Sequence, residues 1–479
     1  MVGLSVALPE DCVVSAADVL AKIKSGQPAD FENCTIIGDL NFSTLKIDAP
    51  VHFNHTLFKN SVNCRSTVFS YAAYFRYSNF NETAYFSNTT FNEYASFSSS
   101  KFNGDANFWE SIFNGDTSFE SSTFNGGAYF SESMFNGTAG FESSKFNGDA
   151  NFWGSIFNGD ANFLSSIFNG DANFGETFGI EGGVQLFGPK FNGGAFFSNS
   201  TFNGTADFVY SKFNGTAYFL ESAFNKKANF NDAKFEEFTD FNISQFKDAA
   251  FFEDAIFNDK LALTRTSYDK LYIRWGNIKK GLVYDDSAYL SLIKNFEDLG
   301  YFEDSDNCYF QYRKDRRGQP WPCIYPLEEP ARKFIDLLSE WSYGYGTRPA
   351  NPFIGSLLLI GLFGLAWRRL GFDKSRKSEE NKAIIDEYAF SDTMSLKKAN
   401  DDPNWPILQI ILSVLESFGF SAVVFLSGTR FLIDAPEIPE MPERSKHVSK
   451  YIFNLERITG AIFMGLFLLA ISRTVIRAA

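Results

Sequence analysis

An eleven-residue unit is repeated almost verbatim from Lys101 to Phe174: FNGDANFWESI, FNGDTSFESST, FNGGAYFSESM, FNGTAGFESSK, FNGDANFWGSI and FNGDANFLSSI. Its phenylalanines are spaced alternately by six and five residues, which is neither a helical period nor the alternation of a flat strand. Two residues before each Phe stands a small side chain, such as Ala106, Ser111, Thr117 or Ser122. Residues two apart share one face of an extended chain. Each Phe and its small companion therefore face inward, and the chain turns a corner every five or six residues. The Asn-Gly after every second Phe is expected to make that corner, because Gly accepts positive φ without steric cost.

The same register runs back from Phe97 to Phe31, with Ile36, Ile47 and Cys64 in Phe positions, and forward from Phe191 to Leu263 and Tyr268. Between Phe174 and Phe191 there is one extra residue, read as a bulge at a corner, with Ile180 and Leu186 bridging the gap. These A-x-F and S-x-F units resemble the centre-Phe variant of pentapeptide-repeat proteins. The resemblance implies an all-β, right-handed quadrilateral β-helix over 31–270. Faces of 5, 6, 5 and 6 residues make a coil of roughly 22 residues, stacked about 4.8 Å from the next, so about eleven coils give a rod on the order of 50 Å. Phe108, Phe130, Phe141, Phe152 and Phe163 belong to its expected core. Asn103, Asn125, Asn147 and Asn169 are expected to form one ladder, and Asn114, Asn136 and Asn158 another. The 57 phenylalanines are a stacking device and not ligand-binding aromatics.

At 479 residues and 44% apolar content the chain suggests two or three parts. Its net charge of −14 argues against nucleic acid as a partner, although an acidic rod leaves room for a DNA mimic. Cys12, Cys34, Cys64, Cys308 and Cys323 form no C-x-x-C pair and no even framework, which fits a reducing compartment. The amino terminus lacks the pattern of a secretory signal. His52, His55 and His447 have no metal-ligand or triad spacing, and no nucleophile stands beside a base. No enzymatic activity, metal or cofactor is expected.

Residues 1–30 read as a capping segment, with Ser15 as N-cap of a helix that Gly26 ends. After the repeats, 271–327 reads as a helical linker. Asp285 and Asp286 cap a helix closed by Gly300, and a second helix from Asp304 or Ser305 ends in Arg313, Lys314, Arg316 and Arg317, placed to meet anionic headgroups. From 328 to 350 an amphipathic helix carries Phe334, Leu337, Leu338 and Trp341 on one side and is read as interfacial.

The remainder, 351–479, reads as an α-helical transmembrane domain. Spans are expected at about 352–372 and 456–476, the second with Gly460 and Gly465 at helix contacts. Between them lies the apolar but charge-bearing segment 406–433, with Glu416 and Arg430, expected to be re-entrant or buried. This layout resembles pentapeptide-repeat proteins that carry a potassium-channel-like two-helix pore module. Supporting stretches are SLIKNF, CYFQYR, EWSYGYGTRP and LERITGAIFMGLFLLAISRTVIR. Gly344-Tyr345-Gly346 imitates a potassium filter but precedes the first span. The position that matches the family's filter holds Phe425, Leu426, Ser427, Gly428, Thr429 and Arg430. One glycine and an arginine do not make a carbonyl cage, so a weakly selective or anion-conducting pore is expected.

The implied partners are the lipid bilayer, inorganic ions and further copies of the chain, as a tetramer by resemblance. Reduced cysteines and no signal place the repeats and both termini in the cytoplasm of a multi-pass membrane protein, with 371–405 and 434–452 outside. The rival readings are a non-conducting membrane-anchored scaffold and, last, a DNA mimic.

Overall fold

The computed structural model describes residues 12–179, 183–185, 187–320, 328–370, 405–429, 433–438, 441 and 445–478. The chain divides into two compact units, residues 1–308 and 309–479.

The first unit is a parallel β-solenoid of about twelve turns, its four sheets holding twelve, twelve, eleven and eleven strands. Most strands are two residues long, too short to set their own register. Periodicity sets it instead: Ala106 pairs with Ala128, Asn107 with Tyr129 and Phe102 with Phe124, each 22 residues on. Phe108, Phe130, Phe141, Phe152 and Phe163 are fully buried. Along the axis, rings stack nearly parallel, as for Phe130 and Phe152 at 4.9 Å and 2°. Across it they meet edge to face, as for Phe141 and Phe152 at 5.4 Å and 88°. Both geometries suit the aromatic quadrupole, so the stack gains more than buried area alone. Outside, Asn147 Nδ2 donates to Asn125 Oδ1 at 2.7 Å and Asn158 Nδ2 to Asn136 Oδ1 at 2.6 Å, which continues two separate ladders.

The corners differ from the expectation. Positive φ recurs every eleven residues at non-glycine positions, for instance Ser99, Glu110, Ser121 and Glu132, and the Asn-Gly glycines do not adopt it. Those glycines answer a different constraint. A Cβ on Gly104 would lie 2.7 Å from the carbonyl carbon of Glu82, and one on Gly148 would lie 2.6 Å from the oxygen of Gly126. Asn60 and Glu82 precede Gly104 in this column, so the crowding belongs to the glycine run and not to every corner.

The alternation of Ala and Ser also has a cause. Ser111 N closes a turn on the Phe108 carbonyl at 3.1 Å, and Ser133 Oγ from the next coil donates to the same oxygen at 2.6 Å. A buried hydroxyl is thereby satisfied, as burial requires. The extra residue lies between 179 and 184, since Phe157 pairs with Gly179 and Ala161 with Val184. Gly179, not Ile180, holds the register position; Ile180 and Leu186 lie outside the described residues.

Helix α1 (Ala16–Lys24) covers the first coil, with Ser15 Oγ accepting from Asp18 N at 3.2 Å and Gly26 at φ 72°. Before it, Cys12–Ser15 adds a strand beside Cys34–Ile37, and Cys12 and Cys34 form a disulfide. This corrects the reading of unpaired cysteines: a separation of 22 residues is one coil, which places two cysteines side by side. Cys64 and Cys308 are buried and free, and burial pushes both thiols up.

At the other end α2 (Trp275–Ile278) and α3 (Asp286–Asp298) close the solenoid. Asp285 caps α3 by accepting from Ala288 N at 2.9 Å. Buried Asn295 donates to the Leu271 carbonyl at 2.8 Å and accepts its N–H at 3.0 Å, pairing with the backbone of the last strand as a further coil would. Helix α4 (Phe302–Gly318) follows and begins slightly before the expected Asp304.

The second unit contains the end of α4, then α5 (Glu328–Tyr343), a 3₁₀ turn Gly344–Gly346, α6 (Ala350–Arg369), α7 (Trp405–Leu426) with a 3₁₀ turn Ser427–Thr429, and α8 (Lys446–Ala478). Helices α6 and α8 are long and apolar enough to cross a membrane. Helix α8 starts well before the expected 456. Glycines admit close packing within this unit: Gly364 faces Phe418, Gly355 faces Phe463, and Gly460 lies against the Phe425 carbonyl. Gly465, expected at a contact, has open space around it.

Candidate functional site

The polar groups of the helical unit are the chemically distinctive part of the molecule. Glu456, the single acidic residue of the last apolar stretch, is fully buried. Its carboxylate accepts from Trp367 Nε1 of α6 at 2.6 Å and from Ser421 Oγ of α7, so one side chain of α8 ties three helices together. Ser421 lies 2.9 Å from the Ile360 carbonyl as well. Two bonds to a buried carboxylate offset part of its desolvation, and removing either leaves a costly unpaired group. Sequence reasoning missed Glu456. An acidic residue four positions before a packing glycine in an apolar helix was the available signal.

The expected filter residues have a different geometry from an extended carbonyl-lined loop. Phe425 and Leu426 end α7, and Ser427, Gly428 and Thr429 continue it as a 3₁₀ turn. Ser427 Oγ donates to the Val424 carbonyl at 2.7 Å, and Phe425 is buried. A Cβ on Gly428 would press into the Arg457 carbonyl, so this glycine lets α7 approach α8. A helix end and a 3₁₀ turn are not the extended, glycine-rich loop that turns successive carbonyls inward as a cation cage. Glu416 is exposed on α7, on the opposite side from the Ser421 contact, and Arg430 lies outside the described residues.

A second polar cluster precedes α6. Arg313 Nη2 meets Asp336 Oδ1 at 2.5 Å, Arg317 Nη1 meets Glu340 Oε2 at 2.6 Å and Asp336 Oδ2 at 3.4 Å, and Lys314 reaches Glu340 at 3.8 Å. These cations, expected to meet lipid headgroups, clamp the charged side of α5, and Arg316 of the same cluster donates to the Tyr312 hydroxyl at 2.8 Å. Gly344-Tyr345-Gly346 is part of the clamp, all three at positive φ, with Tyr345 Oη donating to Asp336 Oδ2 at 2.7 Å. Burial, then that bond to a carboxylate, pushes the Tyr345 phenol up. The motif that imitates a filter is thus a buckle.

Among the described residues no group of three or more His, Cys, Asp or Glu side chains is placed to hold a metal. No curated protein and no solved structure matches the chain. The family model for pentapeptide repeats matches in nine copies, including residues 65–112 and 99–145, and no family match covers the helical residues. The chain therefore carries pentapeptide repeats, folded as a four-sided solenoid, and continues into a helical unit with two long apolar helices.

Proposed function

We infer that the protein is a membrane-anchored solenoid scaffold, with α6 and α8 in the bilayer and the repeats presented as a rigid surface. One observation carries this reading: the helical unit is inside out. Leu362 and Leu469 are 64% and 63% exposed, Leu357, Leu358, Leu365 and Ile462 are also exposed, and Glu456, Ser417, Ser421 and Ser427 are buried. Water disfavours that arrangement and lipid favours it. Helix α5 continues the pattern, turning Phe334, Ile335 and Trp341 outward while buried Asp336 meets its cations, as an interfacial helix does. Alkaline washing of membranes tests the anchor: the protein stays in the pellet if α6 and α8 span, and release into the supernatant contradicts it.

Exposed Glu416 favours a second reading, an oligomer in which α7 lines a water-filled path. Currents through purified protein in a planar bilayer under a salt gradient support that pore if they vanish in Glu416→Leu; a silent bilayer supports the scaffold. One support for cytoplasmic repeats, the reduced cysteines, changes with the Cys12–Cys34 bridge. A bridge that persists in cells places the solenoid in an oxidising compartment, and a reduced pair places it in the cytoplasm.

A further inference from the structure

On one sheet of the solenoid the outward residues run Asn107, Tyr129, Asn151, Asn173, Phe196 and Tyr218. Two DAN coils are thus bracketed by two variant coils, GGAYF and GGAFF. The variants belong together, because each aromatic lies over the second glycine of its own coil. A Cβ on Gly194 would sit 2.8 Å from the Phe196 ring, and one on Gly127 would collide with Tyr129. Between the two aromatics lies an open groove of about 480 Å³, with Trp153 on one wall and Asp149 and Asp171 on the other.

The polar atoms of this groove are half committed. Asn151 Oδ1 accepts from Trp153 N and Asn173 Oδ1 from Gly175 N, which leaves each amide NH₂ as a donor. Asp149 Oδ1 accepts from Asp171 N and Asp171 Oδ1 from Gly194 N, which leaves each second carboxylate oxygen as an acceptor. Phe196 stacks on Tyr218 at 5.4 Å and 6°, so its other face looks along the rod toward Asn173.

We propose that this groove binds a short linear oligosaccharide of neutral hexoses. Tyr129 and Phe196 are three coils apart, about 14 Å, so a compact ligand cannot touch both and an extended one can. A pyranose ring is about as long as one coil is high. Its C–H face suits an open aromatic face, and its vicinal hydroxyls donate to a carboxylate while accepting from an amide. Asp149 and Asp171 exclude acidic saccharides.

The test is titration calorimetry of the full chain, in a detergent without a sugar headgroup, against cellohexaose, maltohexaose, a hexuronate oligomer and spermine. Expected is saturable binding of a neutral hexaose, unchanged by 0.5 M salt and weakened at least tenfold by Phe196→Ala. Asn173→Tyr, which extends the aromatic ladder into the groove at a column that already holds tyrosines, should weaken it equally with an unchanged melting temperature. Failure of both neutral hexaoses to bind, retained affinity in both variants, or salt-sensitive binding of spermine alone would overturn the proposal.

Discussion

The two units of this chain solve burial in opposite directions. In the solenoid the repeating Phe columns are inside, and amides, carboxylates and hydroxyls face water or pair with the next coil. In the helical unit the leucines are outside and a carboxylate is at the centre. On the proposed reading each arrangement suits its own solvent, water for the solenoid and lipid for the helices. The difference extends to glycine: in the solenoid Gly148 admits a neighbouring coil's backbone, and in the helices Gly460 admits a neighbouring helix. Small residues mark close backbone approach in both, with sheet hydrogen bonds as the reward in one and helix packing in the other.

The largest test of the contrast is to put a charge where each unit keeps its core. Phe152→Asp should cost more than about 4 kcal/mol and abolish the cooperative thermal transition of the solenoid, because the ring stack offers a carboxylate no partner. A normal melt would remove Phe152 from the stack. Glu456, by contrast, is a carboxylate already in a core, and it is tolerated because Trp367 and Ser421 meet it.

Next in size is Gly460→Val, which should cost about 1–3 kcal/mol by forcing α8 off the Phe425 carbonyl. Gly465→Val, in open space, should be silent. Thermal denaturation of the pair in detergent separates packing glycine from incidental glycine, and equal effects would refute the assignment. Ser133→Ala should cost about 1 kcal/mol by removing the second donor to the Phe108 carbonyl. The change is survivable, since Ala233 and Ala255 already occupy equivalent positions.

The smallest effect concerns Asp240. Burial pushes its carboxyl above the usual range, against the opposing bond from Asn242 N at 2.8 Å. An acid whose pKa is raised on folding contributes most below its unfolded pKa and loses that contribution as pH rises through the folded value. Asp240→Asn should therefore raise the melting temperature on the order of 1 °C at neutral pH and leave it unchanged below the carboxylate range. A constant gain at all pH values would assign the effect to packing.

The solenoid was legible because one spacing rule applied more than twenty times, so the identity of each inward residue followed from counting. Its corners were less legible. Glycine is the residue most associated with positive φ, and only coordinates show that Glu110 and Ser121 take that conformation while Gly104 and Gly148 are needed for space. Ile180 was placed by hydrophobicity, whereas the register set by hydrogen bonds selects Gly179. The Cys12–Cys34 bridge followed from the same 22-residue period but was not read from it. In the helical unit the long apolar segments were visible and their partners were not. Which cation meets Asp336, or which helices meet at Glu456, depends on packing between distant segments, and composition carries no trace of it.

The proposed lipid exposure of the helical unit is tested most directly by a nitroxide at position 362, introduced as Leu362→Cys in the reconstituted protein. Collisions with molecular oxygen should exceed those with a water-soluble nickel chelate by a wide margin, as for a side chain in hydrocarbon. Easy access by the nickel chelate would place Leu362 in water and contradict the anchored solenoid.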